Sequence, residues 1–407
     1  MKTDILIIGG GAAGLCAAIE AKRCAAQYNR ALSVLVLERE KFPAKKILAT
    51  GNGRCNLANQ KITPDYYRGE TMLAEKVYAQ IPPAETLAFF LQIGIPTVND
   101  GSGRLYPLSR RASAVADALI LQAEQLGVQI QNDCTVQTIT AVENGFLING
   151  SYETKRLILA AGSPAGSKNG DMHVYQMLRE LGIAVKDPYP CLCGLQLDRK
   201  YPRALKGVRQ ICRLSLRLGE KEIFTDTGEV QFNETGISGI PVLQSSLLAS
   251  PLLQKGHRMS VLLDLLPAVD EESLYTALKN RAAQMQGFAA ERLFTGYLPK
   301  PLWLYALRQC GLSPADPLPT GKKQLLPLMQ HMKYAAWSVC GTAEPAQIYG
   351  GGAMASALSE QLESKKHPGL YVAGELVNVQ GFCGGYNLMW AFTSGRLCGQ
   401  SAAQSLA

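Results

Sequence analysis

The pattern with the clearest chemistry lies at the N-terminus, where an apolar run over residues 4–8 leads directly into Gly9, Gly11 and Gly14. This Gly-x-Gly-x-x-Gly spacing between a strand and a helix is typical of a turn that holds the pyrophosphate of a dinucleotide. Gly9 permits the tight turn, Gly11 lets the backbone approach the ligand, and Gly14 lets the helix pack closely against the strand. The helix N-terminus would then direct its free N–H groups at the phosphates.

A carboxylate follows the next predicted strand. Residues 32–37 form an apolar run of the buried type that ends at Glu38, 24 positions beyond Gly14. At that place a carboxylate can accept hydrogen bonds from the hydroxyls of a ribose. Because like charges repel, Glu38 argues against a 2′-phosphate at this site.

A second group of polar side chains lies in a long loop over residues 45–59. Lys46, Arg54, Asn56 and Asn59 are hydrogen-bond donors, and the glycines between them leave the backbone free to turn. Such a surface suits phosphate, sugar hydroxyls or the edge of a heterocycle. Long loops with structure of their own are usually functional, so we expect this one to contact the ligand.

Length and composition are those of an ordinary globular protein. The 407 residues suffice for two or three domains with buried cores; 47% of them are hydrophobic, 18% are charged, and the formal net charge is +8. No apolar run approaches the ~20 residues that span a bilayer, and the N-terminus resembles a core strand rather than a signal peptide. We therefore expect a cytoplasmic protein without a membrane partner.

Cysteine and histidine spacing predicts neither disulfides nor a metal centre. The eleven cysteines are scattered along the chain and include no Cys-x-x-Cys, which indicates free thiols. The four histidines stand apart from one another in sequence. A zinc or iron site would therefore lack ligands, and we expect no metal.

The segment Gly51-Asn52-Gly53-Arg54-Cys55-Asn56 resembles the G-G-G-R-C-N signature of a family of bacterial FAD proteins, the BaiN/RdsA family. That family includes a 3-dehydro-bile-acid reductase and a dihydrouridine synthase of large-subunit ribosomal RNA, and related members have been labelled aminoacetone oxidases. The resemblance implies FAD as the cofactor. The absence of Cys-x-x-Cys disfavours the dithiol–disulfide branch of flavoenzymes.

Other segments are similar to further motifs of this family. Residues 103–109 resemble its G-R-x-[FY]-P segment, residues 166–171 its G-S-x-G-D turn, residues 236–241 its T-H-x-G-I-S-G-P stretch and residues 348–353 its T-x-G-G-V segment. The chain departs from the family at Asn233 and Glu234, where many members have Thr-His. An imidazole acid/base role cannot be carried over to that position, although Glu234 could supply a carboxylate in its place.

The C-terminal block resembles the part of the family that holds the flavin. The predicted strand over residues 370–373 ends in Gly374 and Glu375, whose carboxylate would bind a ribityl hydroxyl. Residues 381–388 then lead into a helix that ends at Gln404, and its amide end would face the flavin pyrimidine ring. The expected cofactor-binding residues are Gly9, Gly11, Ala12, Ala13, Gly14, Glu38, Arg39, Lys46, Gly51, Asn52, Gly53, Arg54, Cys55, Asn56, Val136, Ala161, Gly162, Gly374, Glu375, Gly384, Gly385, Tyr386, Asn387 and Leu388.

No residue in the sequence is assigned as the catalytic acid. The candidates are Arg54, Glu234 and Tyr386, since each could face a substrate, but a glutamate or tyrosine in a loop is more often structural. Cys55 and Cys383 could both lie near a flavin, and small-residue packing explains them better than a redox pair does.

Basic residues cluster in one predicted strand over residues 208–218. Its period of two places Arg209, Arg213 and Arg217 on one face. These side chains could follow the phosphate backbone of an RNA substrate. Alternatively they are the solvated face of an edge strand that charge protects from aggregation, which is the interpretation we favour.

The sequence thus predicts an α/β fold: a doubly wound, Rossmann-like FAD-binding domain of the glutathione-reductase type, formed by residues 1–189 and 343–407. An inserted domain would consist of a β-rich, barrel-like part over residues 190–267 and a helical part over residues 268–342. Since only one dinucleotide fingerprint is present, NAD(P)H would bind transiently, without a domain of its own.

The resemblance implies an FAD-dependent, NAD(P)H-linked oxidoreductase that reduces an activated C=C bond in a small molecule, such as a 3-oxo-4,6-diene bile acid. Three alternatives stay open. They are a dihydrouridine synthase acting on large-subunit ribosomal RNA, a flavin amine oxidase of the aminoacetone oxidase type, and a non-enzymatic, flavin-containing RNA-binding factor.

Overall fold

The computed structural model describes residues 1–165 and 172–406. It divides the chain into two compact units, unit 1 formed by Met1–Tyr189 and Ile348–Ala407, and unit 2 formed by Pro190–Gln347. Unit 1 resumes at Ile348, later than the predicted residue 343. The turn predicted over residues 166–171 lies outside the described residues.

Unit 1 consists of strands with helices packed around them. Its strands are β1 (Lys2–Ile8), β2 (Val34–Leu37), β3 (Ala58–Asn59), β4 (Tyr67–Gly69), β5 (Thr97–Asn99), β6 (Arg104–Pro107), β7 (Gln129–Gln131), β8 (Ile139–Val142), β9 (Gly145–Ile148), β10 (Tyr152–Leu159), β11 (Val185–Cys191, which continues into unit 2), β18 (Ile348–Ala353), β19 (Leu370–Val372) and β20 (Val379–Gly381). Its helices are α1 (Ala12–Gln27), α2 (Lys45–Ala49), α3 (Thr71–Gln80), α4 (Pro83–Gln92), α5 (Ala112–Gln125), α6 (His173–Glu180) and α11 (Tyr386–Gln404).

The core of unit 1 is a parallel sheet with the strand order β7, β2, β1, β10, β19. In the centre, Ile7 pairs in register with Val36 on one side and Ile158 on the other. Residues 5–8 of β1 and all of β2 are continuous apolar runs, as is usual where helices cover both faces of a parallel sheet. The hairpin of β8 and β9 continues the sheet in antiparallel fashion from the start of β10. The doubly wound α/β fold predicted from the sequence is confirmed.

Helices α1 and α11 pack against each other closely enough to exclude side chains. A Cβ added at Gly395 would lie 2.2 Å from the Ala13 carbonyl oxygen, and one added at Gly399 would lie 2.1 Å from that of Ala17. Both contacts advance by four residues, so the two helices run in the same direction. Ala13 is the second residue of α1 and Gly395 is the tenth of α11. Helix α11 therefore begins eight residues earlier along the shared direction, so its N-terminus lies about 12 Å before that of α1.

One predicted strand of unit 1 is shorter than expected. The sequence predicts a strand over residues 135–142, but only Ile139–Val142 form one. The side chain of Asn149 forms hydrogen bonds with the backbone just before this strand. Its Oδ1 accepts from the N–H groups of Gln137 (2.7 Å) and Thr138 (3.2 Å), and its Nδ2 donates to the Thr135 carbonyl (3.0 Å). A side chain therefore satisfies groups that a neighbouring strand would otherwise pair.

Unit 2, all of which the structure describes, contains a closed antiparallel barrel with the strand order β12, β15, β14, β13, β16, β17. Its strands are β12 (Gly194–Leu197), β13 (Arg209–Leu218), β14 (Lys221–Phe232), β15 (Gly236–Ser238), β16 (Met259–Asp264) and β17 (Tyr334–Ala343). Its helices are α7 (Ile240–Gln254), α8 (Glu271–Gln284), α9 (Lys300–Gln309) and α10 (Lys322–Lys333).

Two predictions for unit 2 were wrong in detail. The sequence predicts short strands over residues 221–224 and 229–232, but both segments belong to one long strand, β14, in which Gly228 leaves room for Pro241 at the start of α7. The last part of the predicted helical segment, 268–342, is β17. This strand pairs Trp337 with Val261 of β16 and Thr342 with Leu195 of β12, and it thereby closes the barrel.

Candidate functional site

The N-terminus of α1 is open to a ligand. Its N-cap, Gly11, has no side-chain capping bond, and the first turn carries no acidic residue. A Cβ added at Gly11 would meet nothing within 4 Å, whereas one added at Gly14 would lie 1.8 Å from the Gly9 carbonyl oxygen. Gly11 therefore borders free space at the helix end, while Gly14 is required for packing of helix on strand. Both features fit a bound pyrophosphate.

The first glycine turn lies directly against the end of β10. Gly9 has a φ of +102°, and a Cβ added to it would lie 2.6 Å from the Ala160 carbonyl oxygen and 2.7 Å from the Ala161 Cα. The structure thus brings Ala161 and Gly162 to the same edge of the sheet as the first glycine motif. Ala12 and Ala13 begin α1 at this edge.

Glu38 is buried, and the backbone fixes its carboxylate. Its Oε2 accepts from the Gly10 N–H at 2.6 Å and its Oε1 from the Glu40 N–H at 2.9 Å. Each oxygen keeps a lone pair for another donor, so the group is oriented and still able to hold ribose hydroxyls. Arg39 lies beside Glu40, with its Nε 3.8 Å from Oε1.

Glu375 forms a cluster with the loop that follows β10. Its Oε2 accepts from the Ser163 N–H (3.2 Å) and Oγ (2.7 Å), and the Lys46 Nζ lies 3.8 Å from the same oxygen. Lys46 also donates to the Ser163 carbonyl. Ser163 was not predicted from the sequence, where its position directly after Gly162 was the only signal.

The loop over residues 50–56 has an unusual backbone. Gly51 (φ 56°), Asn52 (φ 55°), Gly53 (φ 79°) and Cys55 (φ 56°) all lie in the left-handed region. For Asn52 and Cys55 this conformation is strained, and such strain is concentrated at functional sites. Burial raises the pKa of the Cys55 thiol to about 11, so the group stays protonated at neutral pH and packs rather than reacts.

The polar loop and the C-terminal glycine turn meet in unit 1. A Cβ added at Gly385 would lie 2.3 Å from the Ala58 carbonyl oxygen, and the Asn59 Nδ2 donates to the Gly384 carbonyl at 3.0 Å. In the amide orientation that satisfies both of its polar atoms, Asn56 accepts from the Gly385 N–H at 3.1 Å. The glycines are required because their φ angles are +130° and +97°.

The N-terminus of α11 follows this turn and has no side-chain cap. Asn387 uses its side chain for the fold, since Oδ1 accepts from the Gly381 N–H and Nδ2 donates to the Gly381 carbonyl, both at 2.8 Å. Leu388 belongs to the first turn of α11, and Val136 is buried in the connection between β7 and β8. Gly374 N–H donates to Ser394 Oγ at 3.0 Å, which ties the Glu375 turn to α11.

Tyr386 lies in an aromatic cluster that the sequence did not indicate. Its ring stacks on Tyr66 at a centroid distance of 4.8 Å and meets the edge of Tyr67 at 5.9 Å. Burial raises the pKa of Tyr386 to about 12. Its phenol therefore holds its proton at neutral pH.

Glu234, the candidate acid of unit 2, is exposed and paired. Its Oε2 lies 2.8 Å from the Lys206 Nζ, and this hydrogen bond and the lysine charge lower the pKa of Glu234. A carboxyl group ionised at neutral pH cannot donate a proton, so the structure does not support Glu234 as a general acid.

The arginine strand is not an edge strand, as the favoured interpretation had assumed. β13 pairs with β14 on one side and β16 on the other. Arg209 pairs with Glu229 at 3.3 Å, and Arg213 Nε donates to Thr225 Oγ1 at 3.3 Å. Arg217 follows a register shift and is half-buried, with no hydrogen-bond partner for its Nε among the described residues. The three side chains do not form a uniform exposed row.

In residues 1–165 and 172–406, no helix combines the length and the apolar character needed to cross a bilayer. Over the same ranges, histidine, cysteine and carboxylate side chains do not gather in threes around a possible metal position.

Comparison with known proteins identifies relatives of nearly the same length. The chain is 34% identical to the "3-dehydro-bile acid delta(4,6)-reductase" of Clostridium scindens, with 98% of each chain covered. It is 28% identical to the "Ribosomal RNA dihydrouridine synthase" of Escherichia coli, again with 98% of each covered.

Solved structures share the fold at low sequence identity. The open conformation of a flavocytochrome c3 fumarate reductase aligns with a TM-score of 0.50 and 18% identity, covering 99% of this chain and 78% of that one. The 3-ketosteroid-delta4-(5alpha)-dehydrogenase of Rhodococcus jostii RHA1 aligns with a TM-score of 0.50 and 17% identity, covering 99% and 97%. Residues 3–401 match the family described as "HI0933-like protein Rossmann domain", and the chain therefore belongs to this family, as its resemblance to BaiN/RdsA proteins predicted.

Proposed function

We propose that this protein is an FAD-dependent oxidoreductase that reduces an activated carbon–carbon double bond of a small molecule with electrons from NAD(P)H. The observation that carries the proposal is the pair of uncapped helix N-termini in unit 1, at Gly11 of α1 and Gly385 of α11, in a family with a Rossmann domain. The full-length relative named as a bile acid reductase supports the same chemistry.

The residues present suit the parts of FAD. The open N-terminus of α1 would hold the diphosphate, Glu38 the adenosine ribose and Glu375 a ribityl hydroxyl. When bound, FAD supplies hydride transfer to the electrophilic carbon of the substrate. The N-terminus of α11 places the positive end of a helix dipole beside the Gly384–Gly385 turn, where it stabilises negative charge.

The substrate we favour is a steroid that carries an enone, such as a 3-oxo-4,6-diene bile acid. Conjugation to a carbonyl makes the distal alkene carbon electrophilic, which hydride addition requires. Tyr386 holds its proton at neutral pH, and Arg54 carries a charge that could polarise a substrate oxygen. Neither residue is assigned as the proton donor.

A second candidate is a dihydrouridine synthase of ribosomal RNA. It is supported by the full-length relatives of that name in Escherichia coli and Haemophilus influenzae. The exposed Arg209 and Arg213 would meet RNA phosphates. We place it second because Glu229 already pairs with Arg209 and because the bile acid reductase relative has the higher identity.

The experiment uses the FAD-loaded protein without oxygen. The flavin is reduced with NADH or NADPH, and a 3-oxo-4,6-diene bile acid or unmodified ribosomal RNA is then added separately while the oxidised flavin absorbance is followed. Reoxidation by the steroid alone is expected. Reoxidation by the RNA alone would favour the synthase, and reoxidation only by air would favour an amine oxidase.

Failure of both nicotinamides to reduce the flavin, together with salt-sensitive RNA binding, would favour a non-enzymatic RNA-binding factor. Replacing Arg209 and Arg213 with Ser tests the RNA surface. If the synthase is correct, this variant binds RNA more weakly and with a shallower salt dependence, and its FAD content stays unchanged.

A further inference from the structure

Three arginines in unit 1 form no ion pair with a carboxylate among the described residues. They are Arg54, Arg104 and Arg110. Across residues 1–165 and 172–406, no carboxylate oxygen lies within 4.0 Å of their guanidinium nitrogens. Asp100 is near Arg104, but its carboxylate accepts from Ser102 N and Oγ (2.8 and 2.7 Å) and from the backbone N–H of Arg104 (3.3 Å).

Tyr106 positions two of these arginines. The Cζ atoms of Arg54 and Arg110 lie 5.6 and 5.9 Å from the centre of its ring. The ring is buried and therefore fixed, and a guanidinium that lies over an aromatic ring keeps the N–H donors at its own edge free. Arg54 Nε donates to the Gly51 carbonyl at 3.2 Å, which leaves its terminal nitrogens for another acceptor.

The third arginine shares a face with Tyr106. Arg104 and Tyr106 are two residues apart on β6, so their side chains project to the same side of the strand. The charge of Arg104 acts on the carboxylate of Asp100 and on the phenol of Tyr386, the first residue of α11. All three arginines are therefore arranged around Tyr106: Arg54 and Arg110 over its ring, and Arg104 on the same side of its strand.

This region adjoins the turn that precedes α11. β6 pairs with β3, with Asn59 opposite Arg104 and Ala58 opposite Leu105. Asn59 in turn donates to the Gly384 carbonyl, and the Ala58 carbonyl lies against Gly385. One strand, β3, thus separates Arg104 from the glycines expected to face the flavin ring.

We propose that Arg54, Arg104 and Arg110 form a binding site for an oxyanion, which takes a carboxylate or a phosphate of the small-molecule ligand at this end of unit 1. The site rests on the proposed function, because it holds the ligand beside the flavin. Arginine suits both groups, since its planar N–H pairs match two oxygens at once. A substrate carboxylate and a nicotinamide nucleotide phosphate are the two sources of this chemistry.

The test measures binding to the FAD-loaded protein, in which the dinucleotide site is filled. Two matched pairs of probes are titrated by calorimetry: cholate against the corresponding neutral primary alcohol, and ADP against adenosine. The wild type is compared with Arg104→Gln and Arg110→Gln. Arg54 is left unchanged because its loop is expected to bind FAD, and Arg111→Gln is the control, since it removes the same charge from the exposed neighbour of Arg110.

We expect one charged probe to bind the wild type more tightly than its neutral partner and to lose about tenfold or more of its affinity in Arg104→Gln and Arg110→Gln. Arg104→Lys and Arg110→Lys should recover part of that loss. The neutral probes and Arg111→Gln should show no change. If Arg104→Gln and Arg110→Gln lose affinity for cholate, the oxyanion at the site is the substrate carboxylate. If they lose affinity for ADP, it is a phosphate of the nicotinamide nucleotide.

Three outcomes would overturn the proposal: equal wild-type affinity for the charged and neutral probes, no binding of either charged probe, or an equal loss of affinity in Arg111→Gln. The FAD content of the same samples is measured by absorbance. A wild type that holds no FAD contradicts the proposed function, whereas full FAD content without charge discrimination contradicts only the oxyanion site.

Discussion

Gly395 of α11 packs against the backbone of Ala13 of α1, and this contact fixes the offset between the two helix ends of the candidate site. A Cβ at Gly395 would lie 2.2 Å from the Ala13 carbonyl oxygen, a distance at which the helices must move apart. Arg396 adds a buried ion pair between the same helices, with its Nε 2.9 Å from Glu20 Oε2. Ala13 and Gly395, 382 positions apart in the sequence, can thus pack together because Gly395 has no side chain.

Replacing Gly395 with Ala is therefore expected to destabilise the protein. The overpacking should cost about 1–3 kcal/mol and exceed the gain in helix propensity that alanine brings. Thermal unfolding and FAD retention would both be measured. Gly296→Ala serves as the control, because a Cβ there meets nothing within 4 Å; equal melting temperatures for the two variants would contradict the close packing.

Gly11 and Gly14 should separate ligand binding from folding. Gly11→Val should keep the melting temperature of the apo-protein, since φ is −85° and no protein atom lies near the added Cβ, yet it should lose FAD because the side chain occupies the ligand's space. We expect at least a tenfold weaker affinity, about 1.4 kcal/mol. Gly14→Ala should instead impair folding, because its Cβ would lie 1.8 Å from the Gly9 carbonyl oxygen. Unchanged flavin content in Gly11→Val would refute the assignment of the glycine motif.

Lys333 and Asp264 form a buried ion pair whose loss should destabilise unit 2. Lys333 Nζ lies 3.1 and 3.0 Å from the two Asp264 carboxylate oxygens and donates to the Val269 carbonyl at 2.7 Å. Lys333→Met leaves the carboxylate unpaired and should cost about 3–5 kcal/mol in denaturant unfolding.

The double variant Lys333→Met/Asp264→Leu should lose less stability than Lys333→Met alone, because no isolated charge remains. Lys206→Met breaks the exposed pair with Glu234 and should leave the midpoint unchanged. If Lys333→Met and Lys206→Met unfold at the same denaturant concentration, the buried pair contributes no more to the free energy of unfolding than the exposed pair does.

Buried tyrosines should make the protein sensitive to alkali. Burial raises the pKa of Tyr386, and likewise that of Tyr371, from 10.0 to about 12. Between these values the folded protein binds more protons than the unfolded chain, so stability is fully present below pH 10 and falls as the pH rises towards 12.

Tyr386→Phe removes one of these groups and should lose less stability than the wild type between pH 10 and 12. The melting temperature across that range is the measurement. Tyr28→Phe, at an exposed tyrosine, should follow the wild-type curve. Parallel curves for wild type and Tyr386→Phe would mean that the Tyr386 phenol ionises as easily in the folded protein as in the unfolded chain.

The first turn of the fold could be predicted from the sequence because its causes are local. The apolar strand β1, the glycine spacing and the apolar run before Glu38 are set by backbone sterics and by hydrophobic pattern within some 40 residues. The amphipathic pattern of residues 112–126 predicts a helix for the same reason, and the structure has one over Ala112–Gln125. The alternating residues of β17, Ala335, Trp337 and Val339, were also visible, yet their helical surroundings concealed the strand.

Contacts between distant parts of the chain were decided only by the tertiary structure. Ser163 meets Glu375 across 212 positions, and Asn59 meets Gly384 across 325. The place of β13 inside a closed barrel, and of Arg54 and Arg110 beside one tyrosine ring, depends on how strands pair. Periodicity states which face of an element is apolar, but it contains no information about which partner covers that face, because pairing is decided by the packing of the whole core.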